Sequence, residues 1–212
     1  MEIIGIMGGS GSGKSTVSDI IKNIYGNRCT IVRIDDFMHE YTRVRQEELA
    51  SHLGIPSDDG LILNHLSNSV DRIKYWISTI GPDVDAAVND SIQQLASSYD
   101  VIILDWAFLP LLKSLFDRCS ITIRVSCDYD LKMNRLRARL SEHNKSERWD
   151  DRALDLRIRN SDLEGYQYRT DLFVENSGEI EILGHMVEHL IRNLVDIDCL
   201  ESPADKTKQV GD

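Results

Sequence analysis

Eight residues near the start of the chain, Gly8-Gly9-Ser10-Gly11-Ser12-Gly13-Lys14-Ser15, fit the pattern GxxxxGK[ST]. They lie between a short apolar stretch, Glu2–Met7, and a segment, Lys14–Tyr25, whose Val17, Ile20, Ile21 and Ile24 recur at helical spacing. Strand, glycine-rich turn and amphipathic helix in that order form a phosphate-binding loop. Glycines there permit positive φ and let successive N–H groups face one centre, and the helix N-terminus adds its positive dipole end. Gly8, Gly11, Ser12 and Gly13 are therefore expected to wrap a polyphosphate. Lys14 should reach its β and γ groups, Ser15 should ligate Mg²⁺, and Thr16 should lie at the α-phosphate.

The remaining apolar runs, Cys29 to Ile34, Val101 to Leu104, Ile121 to Val125 and Leu172 to Val174, are continuous and are separated by helical patterns. That is how strands buried on both faces of a parallel sheet read. The pattern predicts an α/β fold of the P-loop NTPase type, with a five-stranded, mainly parallel sheet flanked by helices. One domain over residues 1–200 is expected, followed by a polar tail at 201–212. Residues 43–98 read as a helical insertion on the acceptor side, with breaks at Gly54 to Pro56, Asp58 to Gly60 and Gly81 to Pro82. Residues 128–169 read as a charged, helix-prone lid, broken near Glu142 to Ser146. After Gly178, apolar positions from Ile180 to Leu194 follow the spacing of a core-facing helix.

In such a sheet ligands bind outside the carboxyl ends of the strands, so acidic residues there are candidates for chemistry. Asp35 is read as the base for an acceptor hydroxyl, Asp36 as its alternate, and Asp105 as the carboxylate beside Mg²⁺. ATP is preferred to GTP. The stretch Asn144-Lys145-Ser146-Glu147 comes near the guanine-specifying NKxD, but it follows a charged helix rather than an apolar strand.

A net charge of −11 argues against a general nucleic-acid binder, which would neutralise phosphates with a basic face. Positive charge is instead local: nine of the 24 Lys and Arg residues fall between Lys132 and Arg159. Four scattered cysteines, without CxxC or nearby histidines, suggest reduced, buried thiols. No stretch approaches the roughly 20 apolar residues that span a bilayer, and no basic leader precedes the first strand, so a cytoplasmic location without membrane association is expected. His185 and His189 are four apart on one helix but lack a third ligand, and Trp76, Trp106 and Trp149 read chiefly as packing residues, Trp106 being nearest the acceptor cleft.

Several of these stretches resemble dephospho-CoA kinase. Ile3 to Val17 is similar to that family's IGLTGGIGSGKSTV. Ile34-Asp35-Asp36-Phe37-Met38-His39-Glu40 resembles its acidic strand end and would place the catalytic aspartate on Asp35. Leu131 to Arg139, with Arg135 and Arg139, resembles the helix entering the lid, and Arg157-Ile158 the later lid arginine. Thr170 to Gly178 resembles AD-x-VI-x-N-x-G, a strand and turn placed beside the adenine, which would bring Asn176 to the nucleotide. The resemblance implies transfer of the γ-phosphate of ATP to the 3′-hydroxyl of dephospho-CoA, with Arg139 and Arg157 closing on the phosphates. The chain departs from the family after Asp105, where Trp106-Ala107-Phe108-Leu109-Pro110 stands, and at Gly81-Pro82, where His-Pro is usual. Asp35-Asp36-Phe37 equally resembles nucleoside kinases of the uridine or nicotinamide riboside type, so dephospho-CoA and a nucleoside both remain candidate acceptors. A P-loop protein that switches with nucleotide, without phosphorylating a small molecule, is the alternative of another class. Oligomeric state is not legible.

Overall fold

In the computed structural model the described residues are 1–58, 62, 65–66, 69–142, 151–161, 168 and 170–194. The strands are β1 (Glu2–Met7), β2 (Cys29–Arg33), β3 (Val101–Asp105), β4 (Ile121–Ser126) and β5 (Leu172–Glu175), in the order β2-β3-β1-β4-β5. All four pairings are parallel. The sheet is thus the expected one, with β1 at its centre between β3 and β4. Its inner strands are buried on both faces, which is why they read as unbroken apolar runs.

Two layers cover the sheet. On one side α1 (Lys14–Tyr25) and α8 (Ile180–Leu194) bury Val17, Ile21, Leu183, Val187 and Ile191 against Ile4, Ile6, Val101, Ile103 and Ile123. On the other, α2 (Ile34–Val44), α3 (Gln46–Leu53) and α4 (Val70–Leu95) enclose Ile34, Met38, Leu49, Ile73, Trp76, Ile80 and Val84 with Ile3, Ile102 and Leu104. A short helix, α5 (Lys113–Asp117), precedes β4. A third, smaller cluster joins helices α6 (Tyr129–Glu142) and α7 (Asp151–Ser161) through Met133, Leu136, Leu154 and Ile158.

Two expectations about the acceptor-side helices are corrected. Gly81 and Pro82 do not break the chain: α4 runs through Pro82 for 26 residues. Its buried stripe from Ile73 to Ile92 continues on both sides of the proline, and Gly81 faces Leu112, whose Cδ2 would lie 3.2 Å from a Cβ placed there. Packing along the whole face therefore outweighs the lost backbone donor. The second strand stops at Arg33, and Ile34 already belongs to α2, because Ile34, Met38 and Thr42 are buried at helical spacing. Gly54, in the left-handed region at φ 66°, ends α3 as its sequence suggests. The expected lid break, the NKxD-like stretch, Gly60, Trp149, Cys199 and the polar tail lie outside the described residues.

Candidate active site

The loop between β1 and α1 follows the carboxyl end of the central strand, where the chain must turn sharply into a helix. Gly8, Gly11 and Gly13 have φ of 150°, 80° and 93°. A Cβ on Gly8 would meet the Val125 carbonyl oxygen at 2.1 Å, and one on Gly13 would meet Asn176 Nδ2 at 1.9 Å. Glycine is required at both positions by close approach as well as by backbone conformation. Ser12 is fully buried within the turn and donates its N–H to the Gly9 carbonyl at 3.1 Å.

Lys14 lies in the first turn of α1, with Nζ 3.4 Å from the Gly9 carbonyl oxygen. Burial pushes its pKa down, while the charges of Asp105 and Asp35 oppose that shift and those of Arg139 and Arg157 reinforce it. Asp105, the last residue of β3, is 5% exposed. Burial drives its carboxyl pKa upward, against the charge of Lys14 and a hydrogen bond from Ser18 Oγ at 3.1 Å. Ser15 also hydrogen-bonds Asp105. The Ser15 hydroxyl and the Asp105 carboxylate thus form a pair of hard oxygen donors at the mouth of the loop. This fits Mg²⁺, which takes one or two protein oxygens and completes its octahedron with phosphate and water. Among the described residues no cluster of three or more His, Cys, Asp or Glu side chains could hold a metal.

Asp35 and Asp36 occupy the first turn of α2 rather than a strand end, a position that the helix dipole favours for carboxylates. Both are exposed. Asp35 Oδ1 accepts a hydrogen bond from Trp106 Nε1 at 3.0 Å, and Trp106 itself is buried at the end of β3. Among the described residues no side chain is seen to support Asp36 in this way, and His39 is exposed on the same helix. Trp76, by contrast, is a core residue whose Nε1 donates to Thr42 Oγ1 at 2.8 Å.

Helix α7 reaches the loop directly. Arg157 Nε donates to Ser10 Oγ at 3.4 Å, and the Ser10 N–H donates to Ser161 Oγ at 2.7 Å. Arg139 lies within electrostatic reach of both Lys14 and Arg157, and Asp35 within reach of Lys14, Arg157 and Asp105. Lys14, Asp35, Asp105, Arg139 and Arg157, drawn from five elements, therefore share one site. Ser15 joins them through Asp105, and Thr16 sits one residue further along α1.

Asn176, expected beside a base, is 4% exposed, and its Nδ2 donates to the Ser12 carbonyl of the glycine loop at 2.9 Å. Arg135, read in the sequence only as part of the lid helix, donates to the carbonyls of Gly11 (3.4 Å) and Asn176 (3.2 Å) and to Cys127 Sγ (3.1 Å). Arg135, Ser161, Ser18 and the hydrogen bond of Trp106 were not assigned from sequence. Each acts through a partner more than 70 residues away, and no local pattern announces it.

No family model matches the chain. It is 29% identical over 140 residues to uridine kinase-like protein 4 of Arabidopsis thaliana, a match covering 63% of this chain and 29% of that protein. It is 31% identical over 137 residues to the uridine kinase of Staphylococcus haemolyticus, covering 63% of this chain and 65% of that protein. The chain thus spans less than two thirds of the length of these relatives. Among solved structures, TT1252 from Thermus thermophilus superposes with a TM-score of 0.65 at 21% identity, over 92% of this chain and 98% of that one. Dephospho-CoA kinase from Campylobacter jejuni superposes with a TM-score of 0.50 at 15% identity, again over 92% and 98%. No described helix is long and apolar enough to cross a membrane. The parallel five-stranded sheet, the glycine loop after its central strand and these superpositions together give the chain the fold of the P-loop small-molecule kinases.

Proposed function

We propose that the chain is a kinase that transfers the γ-phosphate of Mg-ATP to a hydroxyl of a small molecule. The observation that carries this reading is the meeting of Lys14, Arg139 and Arg157 with Asp35 and Asp105 at the glycine loop. Three cations suit a polyphosphate, and a carboxylate among them, exposed and held from behind by an indole N–H, suits a proton acceptor. In the transfer the acceptor oxygen attacks the γ-phosphorus and the bond to the β–γ bridging oxygen breaks. Its electron pair leaves on ADP. Asp35 takes the hydroxyl proton, and Lys14, Arg139 and Arg157 hold the equatorial and leaving oxygens. Mg²⁺, held by Ser15 and Asp105, would supply charge neutralisation for the β and γ oxygens.

A ribose hydroxyl is the proposed acceptor class. The uridine kinase relatives support a nucleoside. The resemblance to dephospho-CoA kinase supports a second reading, the 3′-hydroxyl of dephospho-CoA. ATP consumption against a panel of uridine, cytidine, nicotinamide riboside and dephospho-CoA tests both. Turnover that rises with one of them identifies the acceptor. Turnover indifferent to every acceptor would instead match a nucleotide switch.

A further inference from the structure

The glycine loop does not hold its shape by its own contacts alone. The Ser12 carbonyl is capped by Asn176 Nδ2 at 2.9 Å. Because a peptide is planar and trans, its carbonyl and the following N–H point in opposite directions. The carbonyl of Ser12 and the N–H of Gly13 share one such plane, so holding the carbonyl on Asn176 also fixes the direction in which the Gly13 N–H points, opposite to Asn176. Gly13 then enters α1 from the left-handed region, with φ 93° and ψ 23°.

The brace is itself fixed. The Asn176 N–H donates to the Ser126 carbonyl at 2.9 Å, and its carbonyl accepts from Arg135, which also reaches Gly11. The side chain is almost wholly buried, and the space a Cβ on Gly13 would need is already taken by the Asn176 amide. Without that donor the Ser12 carbonyl would be a buried acceptor lacking its partner, and rotation of this peptide would be the way to relieve it.

We propose that Asn176 is a positioning residue of the nucleotide site, which sets the direction of the Gly13 N–H through the Ser12 carbonyl and need not touch the base. The proposal rests on the reading of the loop as a nucleotide site. It requires that removing the amide donor weaken ligands that carry a β-phosphate while leaving the ligand-free fold in place.

The test uses the full chain with Asn176→Leu, which keeps the bulk and adds no charge, and Asn176→Ala, in case the first does not fold. Binding of Mg-AMPPNP and Mg-ADP is measured by calorimetry, with Lys14→Ala as reference, and the Gly13 amide is followed by ¹⁵N NMR on addition of Mg-ADP. A loss of about tenfold or more for both nucleotides, with a Gly13 amide that no longer responds as in wild type, is expected. Binding within twofold of wild type by a folded variant, or an unchanged Gly13 response, overturns the role of Asn176. Wild-type protein that fails to bind Mg-AMPPNP, or Lys14→Ala that binds it as tightly as wild type, overturns the nucleotide reading itself.

Discussion

Trp106 Nε1 donates a hydrogen bond to Asp35 Oδ1 across 3.0 Å, joining the end of β3 to the first turn of α2. An indole is a donor only, so it occupies Oδ1 and leaves Oδ2 open to an acceptor hydroxyl. Phe108 packs edge-on against the same ring, at 5.6 Å between centroids, and limits its rotation. Trp106→Phe keeps most of the packing and removes the donor. Once the acceptor is identified, kcat in this variant should fall about tenfold, with the KM for ATP unchanged, in steady-state kinetics.

Asp35 and Asp36 stand side by side in sequence, yet Trp106 supports one of them. Asp35→Asn should therefore lower kcat by roughly 10² or more, whereas Asp36→Asn should leave it within a few-fold of wild type. A loss in Asp36→Asn as large as that in Asp35→Asn would transfer the base to Asp36.

Arg157 touches the loop through Ser10, while Arg139 meets it through the field of Lys14. Arg157→Ala should thus raise the KM for ATP as well as lower kcat. Arg139→Ala should act mainly on kcat, because its contacts would be made with charge that develops during transfer. Rapid-quench measurement of single turnovers separates the two cases.

Stability should decline in alkaline solution. Burial raises the Cys29 thiol to about 11, Cys119 to about 12 and the Tyr25 hydroxyl to about 12, from ordinary values of 9.0, 9.0 and 10.0. In each case the folded chain holds its proton more tightly than the unfolded chain. The associated stability is full below pH 9 and is lost as pH rises toward 12. Thermal unfolding followed by circular dichroism should show Tm falling through that interval. Peptide mapping after alkylation at pH 8 should find Cys29 and Cys119 unmodified in the folded protein.

The parts of the site that could be read from sequence are those whose physics is local. The glycine loop and its flanking strand and helix form one contiguous stretch that contains Lys14 and Ser15, and the structure shows strand, turn and helix in that order. Asp105 was legible because an apolar run ends on it. Asp35 was found, but its place in a helix was not. Ile34 can finish a strand or begin a helix, and the burial of Met38 and Thr42 decides the matter. Pro82 misled for a related reason, since the stripe of buried residues that carries α4 past it extends beyond any short window. Asn176 was visible as a polar residue in a turn, but its hydrogen-bond partner is 164 residues away. Strand-by-strand reading cannot find a contact of that kind.

Among the described residues, four hydrogen bonds to the glycine loop link positions separated by 124, 147, 151 and 164 residues. A ribosome therefore delivers the loop first and its last support only after β5 has been made. Until then the N-terminal part has a phosphate-binding sequence without the scaffold that orients it, so nucleotide can offer little help to the nascent chain. Once the circuit has closed, the same contacts tie ligand occupancy to the whole sheet, and saturation with nucleotide should delay melting of the entire chain rather than of one turn.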